Sequence, residues 1–504
     1  MLLTIQILFF LLVACVSDKS DNLDSADNPD YSQQSLSWTP VGGDGWTAYE
    51  PHEDTVIFYV SSSMGDDVND GLSEDTPVQT VARGLALLKE RSESGTIARP
   101  DWLLFKSGDS WNEVFAFRND TIKGGVSIAH PLLISSYGEG PRPHFIWPDT
   151  GPAFSYGWWG GDFPTGDDAP VYWSIVGLSF YNPIADPNSS QFQPTRIYDA
   201  SSPPTVYFGS EARHVLIEDC KMQYISLVVQ FGVQKVSIRR NLFLDNYGYH
   251  GQDGTEEVYS HAQGLYMFQI QDAIIEENLF DHNGWLDSEV YPTTAPTIYN
   301  HNVYLNFETD GVVLHRNIST RAASDGFKVR GGGKAINNLL LANGIHINMN
   351  GVATEGVETT MRYNVMLKSL EQPLEGPAES FGGYERDWGV AIGWVNENPL
   401  DITGNLVIHS PGGGEALAGV CRESSGCNEG HIVYNWGEEE NTVADFPEPE
   451  RNLESYLSSI GDTPTFEFFL EQVRSQSKSN WKSQYTAAAV NDYIREGFGI
   501  EMEE

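Results

Sequence analysis

The feature that most constrains this chain is an internal repeat with the pattern apolar-x-apolar-x-x-Asn. Val236-x-Ile238 leads to Asn241, Ala273-x-Ile275 to Asn278, and Val312-x-Leu314 to Asn317. Met361 precedes Asn364, Ile402 precedes Asn405 and Ile432 precedes Asn435, while Gly333-x-Ala335 before Asn338 is a weaker copy. A variant, Val215-x-Ile217, ends in Cys220. Alternation with period two is a strand signature, and repetition of one short unit along a chain means a solenoid. An Asn at each strand end suits a turn that needs left-handed backbone and side-chain hydrogen bonds, and stacked amides can satisfy one another. From Cys220 to Asn241, and again from Asn317 to Asn338, the interval is 21 residues. That length fits one coil of three short strands. The 37 residues from Asn241 to Asn278 imply an extra coil or an inserted loop. The expected fold is all-β, a right-handed parallel β-helix over residues 51–445.

Composition is compatible with this and limits the partners. The chain has 504 residues, is 40% hydrophobic and 12% aromatic, and carries 70 acidic against 29 basic side chains, a net charge of -41. It has apolar material enough for an ordered core. Nothing offsets phosphate repulsion, so nucleic acid is excluded as a partner, and an acidic substrate would need locally concentrated cations. A monomer is expected.

The two ends differ from the body. Met1 to Val13 is apolar but too short to span a bilayer, so residues 1–15 read as a signal peptide. Its end, Leu12-Val13-Ala14-Cys15, resembles the bacterial lipobox, although no Lys or Arg precedes it. The resemblance implies export with Cys15 lipidated, an outer-membrane or cell-surface lipoprotein; plain secretion, or a periplasmic location, is the alternative. Membrane contact is expected only through that anchor. Residues 16–50 are rich in Ser, Asp, Asn and Gln and read as a disordered tether. Leu453 to Leu457, Phe466 to Val473 and Ala487 to Ile494 have helical spacing, so residues 446–504 are expected to form a helical extension packed on the solenoid. Cys421 and Cys427 bracket a short polar loop that a disulfide could close, and Cys220 reads as a buried thiol.

Tyr59-Val60-Ser61, Gly65 to Ser73 (GDDVNDGLS), Thr76-Pro77 and a helical stretch from Val81 to Leu88 together resemble the N-terminal cap of pectate-lyase-like β-helix proteins. Trp102 to Asp109 (WLLFKSGD) and Leu133 to Gly138 (LISSYG) extend that resemblance. It implies a β-helix of the polysaccharide lyase and related glycoside hydrolase superfamily, without a complete signature for any one family. A cap is also required physically, since an open first coil exposes core and strand edge. The acidic loop from Asp66 to Asp70 offers oxygen ligands for Ca²⁺, but not at EF-hand spacing, and a solvated turn is the simpler reading. No cofactor is required.

A second strand register aligns Gly264 to Phe268, Asn302 to Asn306, Gly326 to Arg330 and Gly344 to Asn348. The second and fourth residues of each are apolar and should face the core, so the third and fifth face out. The outward columns are then Tyr266, Tyr304, Lys328, His346 and Phe268, Asn306, Arg330, Asn348, with Gln263, His301, Asp325 and Asn343 at the strand mouth. A single such residue would be an ordinary solvated side chain. A column of Tyr, Tyr, Lys and His flanked by Arg and His is a candidate site.

Two chemistries fit it. β-Elimination on a uronic-acid polysaccharide needs a group to neutralise the carboxylate, a base for the C5 proton and an acid for the leaving oxygen. Lys328, beside the cationic Arg330, is the candidate base. Arg330, Asn306 or His301 would stabilise the developing charge, and Tyr304 or His346 would protonate the leaving group. The superfamily resemblance adds weight, since lyases of this kind use Lys or Arg as base. Tyr266, Asn306, Asp325, Asn348 and Trp285 are expected to bind substrate. Glycoside hydrolysis needs paired carboxylates, with candidates Asp253, Glu256, Glu257, Asp287, Glu289, Asp310 and Asp325. Aromatics in the long insertions, among them Trp158, Trp159, Trp285, Tyr291, Tyr384 and Trp388, suit a wall for a sugar chain. A non-catalytic glycan-binding solenoid is the rival from another class.

Overall fold

The computed structural model describes residues 38–502 apart from 94–96, 118–121, 150–152, 157–168, 194–204, 210, 249–260, 287–298, 351–358, 369–387, 394–399, 410–430 and 436–445. Residues 1–37, Cys421, Cys427, Trp158, Trp159, Tyr291, Tyr384 and the candidate carboxylates Asp253, Glu256, Glu257, Asp287 and Glu289 lie outside the described residues. Among those described, no helix is long and apolar enough to cross a membrane.

The body is three parallel sheets, of 11, 11 and 9 strands among the described residues. One coil shows the plan. Arg213–Glu218 lies in the first sheet, Lys221–Gln223 in the second and Ser226–Gln230 in the third, before Gln234–Arg239 returns to the first. Each strand pairs in parallel with its counterpart one coil away, so Val215 meets Val236 and Ile217 meets Ile238. A parallel crossover of this kind is right-handed, and the fold is a right-handed parallel β-helix. Inward residues such as Val215, Ile217, Met222, Leu227, Val229, Val236 and Ile238 are fully buried in one continuous core.

The longer repeat intervals are insertions, not hidden coils. Val236 pairs directly with Ala273 although 37 residues separate Asn241 from Asn278. The extra residues of this interval fall between second-sheet Leu242–Leu244 and third-sheet Gln263–Phe268, whereas between Asn338 and Asn364 they fall between third-sheet Ile345–Asn350 and first-sheet Thr359–Arg362.

The Asn repeat is a hydrogen-bonded ladder. Asn241, Asn278, Asn317, Asn338 and Asn364 each donate Nδ2 to the Oδ1 of the next, at 2.8–3.0 Å, the last to Asn405. The left-handed backbone, however, falls one residue earlier, at Arg240, Glu277, Arg316, Asn337 and Tyr363. The Asn supplies only the side-chain bonds; the turn's strain is taken by its neighbour, whatever its type. A second ladder lines the next corner through Asn246, Asn283 and Asn343. Ala322 occupies the equivalent place in the coil between them and has no amide. Asn302 reaches in from the third sheet instead, accepting from Asn283 Nδ2 at 2.9 Å and donating to the Thr320 carbonyl at 2.9 Å.

The first coil and one side of the solenoid are covered. Helix α1 (Val81–Arg91) packs Val81, Leu87 and Leu88 into the core of the first coil. A Cβ on Gly84 would lie 2.9 Å from Val60, so only glycine lets the helix approach this closely. Along the side, α2 (Leu453–Ser459), α3 (Phe466–Arg474) and α4 (Ala487–Gly497) cover the outer face of the second sheet. Leu457, Phe469, Val473, Val490 and Ile494 bury outward-facing Leu242, Leu279, Ile318, Leu339 and Val365. Those strands are apolar on both faces because both are buried.

The tether expected over residues 16–50 is overturned for its last stretch. Trp46 is buried, Thr47 N–H donates to Glu218 Oε2 at 3.0 Å, and Tyr49 Oη bonds Ser174 Oγ at 2.5 Å. Arg240 is held between Trp46 and Trp481, 4.4 and 4.7 Å from the ring centroids. Three aromatics give residues 38–50 a docking area that their polar composition hides. Beneath them Glu218, Arg239, Glu276 and His315 form a buried charge ladder, with Arg239 at 2.6 Å from Glu218 and 3.0 Å from Glu276. Cys220 is the buried thiol expected, and burial pushes its pKa up to about 12.

Candidate active site

Four neighbouring strands of the third sheet carry the site: β1 (Gln263–Phe268), β2 (His301–Leu305), β3 (Asp325–Val329) and β4 (Ile345–Asn350). Leu265, Met267, Val303, Leu305, Phe327 and Val329 are buried inward, which fixes the alternate residues outward. Tyr266 pairs with Tyr304, and Tyr304 with Lys328, as the alignment expects.

The fourth strand is displaced by two residues from that alignment. Asp325 pairs with Ile345 and Lys328 with Asn348, so Asn348 occupies the place beside Lys328 assigned to His346. His346 stands opposite Gly326, is buried, and lies 3.4 Å from Asn343 Nδ2 through its Nδ1. Apolar alternation cannot distinguish the two registers, because Ile345, Ile347 and Met349 are buried in succession.

Two groups of contacts meet here, the first around buried His301 and Asp325 at the strand mouth and the second on the outward face. In the first, Asp325 gathers three partners. His301 Nδ1 is 3.1 Å from its Oδ2, Lys328 Nζ is 4.0 Å from the same oxygen, and Asn348 Nδ2 donates to Oδ1 at 3.2 Å. The backbone N–H of Asp325 also points at His301 Nδ1, at 3.4 Å. That hydrogen bond uses Nδ1 as its acceptor, and the 3.1 Å approach to Oδ2 is an ion pair only when the imidazole is protonated. Gln263 Oε1 accepts the His301 backbone N–H at 2.7 Å and holds that strand mouth in place.

In the second, Arg330 Nη1 donates to Tyr304 Oη at 3.0 Å, Tyr304 Oη donates to Asn306 Oδ1 at 3.3 Å, and Asn306 Nδ2 donates to Tyr266 Oη at 3.0 Å. Burial raises the Tyr266 pKa, against a smaller lowering by the Asn306 hydrogen bond. The groups join where the His301 and Tyr304 rings stand edge to face, 5.2 Å apart. Asn348 Oδ1 and Arg330 Nε are buried polar atoms with no hydrogen-bond partner among the described residues.

Lys328 is thus paired with a carboxylate, while Arg330 is engaged with a phenol. Trp285 is not part of this cluster. Its indole N–H donates to the Arg321 carbonyl at 2.9 Å, and its ring meets His282 at 4.4 Å, beside the second sheet. Asp310 lies in the first sheet, exposed, and makes no pair with Asp325. The carboxylates of the loop from Asp66 to Asp70 accept local backbone N–H groups, as Asp67 does from Gln79 and Thr80. No group of three or more His, Cys, Asp or Glu side chains able to hold a metal ion is present among the described residues.

No protein-family model matches the chain, and no curated protein matches it by sequence. Among solved structures it is similar to a GH136 lacto-N-biosidase from Eubacterium ramulus, with 15% identity over 75% of this chain and 68% of that one, TM-score 0.47. It is similar to a rhamnogalacturonan lyase, with 13% identity over 82% of this chain and 98% of that one, TM-score 0.44. A pectate lyase gives 12% identity over 71% and 80%, TM-score 0.34. By its own three parallel sheets and their coil-to-coil register, the chain is a right-handed parallel β-helix, the fold that its N-terminal segments resemble.

Proposed function

We propose that this β-helix is an exported carbohydrate-active enzyme that cleaves a uronic-acid polysaccharide by β-elimination on the face formed by β1 to β4. The observation that carries the reading is the Asp325 cluster: one buried carboxylate lies 3.1 Å from a buried histidine and 4.0 Å from a half-buried lysine at the strand mouth, with Arg330 two residues beyond Lys328. Lys328 and Arg330 put two cations against one carboxylate, a local excess of positive charge on a chain of net charge -41. That excess suits an anionic sugar.

The pairing also redistributes the roles. A lysine engaged with Asp325 is best used as the cation that neutralises the sugar carboxylate and so acidifies C5–H. In this reading the His301 proton shifts to Nδ1, toward the Asp325 carboxylate, and Nε2 takes the C5 proton. Tyr304, whose oxygen Arg330 contacts, delivers a proton to the departing glycosidic oxygen. The C5 proton leaves to histidine, its electron pair forms the C4–C5 double bond, and the C4–O bond breaks. Asn306, Asn348 and Tyr266 fix the sugar. Lipidation at Cys15 would place the enzyme on a membrane surface.

The test is incubation with alginate, pectin, ulvan and glycosaminoglycans, following ultraviolet absorbance of the unsaturated product, with and without a chelator to read any part played by Ca²⁺. Absorbance growth that His301→Ala abolishes supports the reading. New reducing ends without it would point to a hydrolase, and binding without turnover to a glycan-binding solenoid.

A further inference from the structure

We infer that the glycan crosses the solenoid along the strand direction, seated between two aromatic pairs that act as flanking sugar subsites; this rests on the function proposed above. At the strand entry, His261 and Tyr299 rings stand 5.4 Å apart, the first exposed and the second half-buried. At the strand exit, Phe268 and Phe307 rings stand 5.3 Å apart, and Phe307 is 40% exposed.

Both pairs are tied to the reacting face. Gln263 Nε2 donates to the Tyr299 carbonyl at 2.7 Å while its Oε1 holds the His301 backbone. Phe307 N–H donates to Asn306 Oδ1 at 2.9 Å, and Asn306 in turn bonds Tyr266. Between them lie His301, Tyr304, Lys328 and Arg330. The strand His301–Leu305 covers about 13 Å, room for at least two sugar rings, and the aromatic pairs lie beyond its two ends. Phe307 packs against Phe268 yet keeps 40% of its surface exposed, and the C–H face of a pyranose packs well on such a ring.

Along the solenoid axis Phe231 also meets Phe268, at 6.1 Å, but the reacting column itself loses its charged groups. The outward column that contains Tyr266 runs back through Val228 and Tyr207 to Ser155, and forward beyond Asn348 to Ala391. None of those positions carries a charge, and Tyr207 is buried.

The experiment compares Phe307→Ala, Tyr299→Ala and Val228→Glu in the full chain, on the polysaccharide that the wild type degrades, with thermal melts to verify folding. Each aromatic variant should raise KM by about fivefold, the loss of one stacking contact, with kcat changed by less than about twofold. Val228→Glu places a repelling carboxylate one coil along the axis and should leave KM unchanged. An unchanged KM in either aromatic variant, or a raised KM in Val228→Glu, overturns the inference while leaving the proposed function standing. A wild type inactive on every uronate polysaccharide overturns both.

Discussion

His301 Nδ1 and Asp325 Oδ2 stand 3.1 Å apart on neighbouring strands of the third sheet, and no residue near either in sequence links them. The contact exists because one coil stacks on the next. In the proposed mechanism it orients a histidine at a strand mouth as proton acceptor, and Lys328 Nζ lies 4.0 Å from the same carboxylate.

Removal of that acceptor should be severe. His301→Ala is expected to lower kcat by about 10²–10⁴-fold, and Asp325→Asn to lower it by a smaller factor with little change in KM. Steady-state kinetics check this, and full activity in His301→Ala would remove the histidine from the chemistry.

Lys328 is assigned as a cation, so charge should matter more than the identity of the amine. Lys328→Ala should lower kcat/KM by about tenfold or more, the scale of a hydrogen bond to a charged group, while Lys328→Arg retains most of it. If Lys328→Arg is as inactive as Lys328→Ala, the lysine is the base and His301 is not.

Asn302, on β2, replaces a missing rung of the second ladder. Asn302→Ala would leave the amide groups of Asn283 and the Thr320 carbonyl with lost partners, costing about 1–3 kcal/mol. Urea unfolding of the variant measures this. An unchanged midpoint would mean that the neighbouring amides close the gap.

The contact of α3 with the solenoid should weaken in acid. Burial alone would raise the Asp245 carboxyl, but the His282 hydrogen bond and the Arg474 charge more than offset it and hold the pKa at about 2. A depressed folded-state pKa stabilises fully above the unfolded value, about 3.9, and that stability is lost as pH falls through about 2. Thermal melts of wild type and Asp245→Asn should therefore differ at neutral pH and converge between about pH 4 and pH 2. A constant difference across that window would contradict the ion pair's role.

The sequence made some of this structure legible and concealed the rest for identifiable reasons. Asn241, Asn278 and Asn317 were readable because a solenoid repeats one environment, so the same side chain returns at the same place. The Tyr266–Tyr304–Lys328 column followed from strict apolar alternation. His346 was misplaced because Ile345, Ile347 and Met349 satisfy two registers equally well. The docking of residues 38–50 was hidden because Trp46 and Tyr49 sit in otherwise polar sequence. Asn302 looked like an outward strand residue, and only the amide absent at Ala322 explains its turn into the ladder. The pairing of Asp325 with both His301 and Lys328 depends on side-chain directions that spacing alone does not give.

The central claim is elimination at the Asp325 cluster, and one ratio tests it directly. On a uronate polysaccharide that the protein cleaves, unsaturated ends by ultraviolet absorbance are counted against new reducing ends in the same reaction. Elimination predicts one double bond for every new reducing end throughout the time course. Reducing ends that accumulate with no double bonds would contradict it and assign the site to hydrolysis.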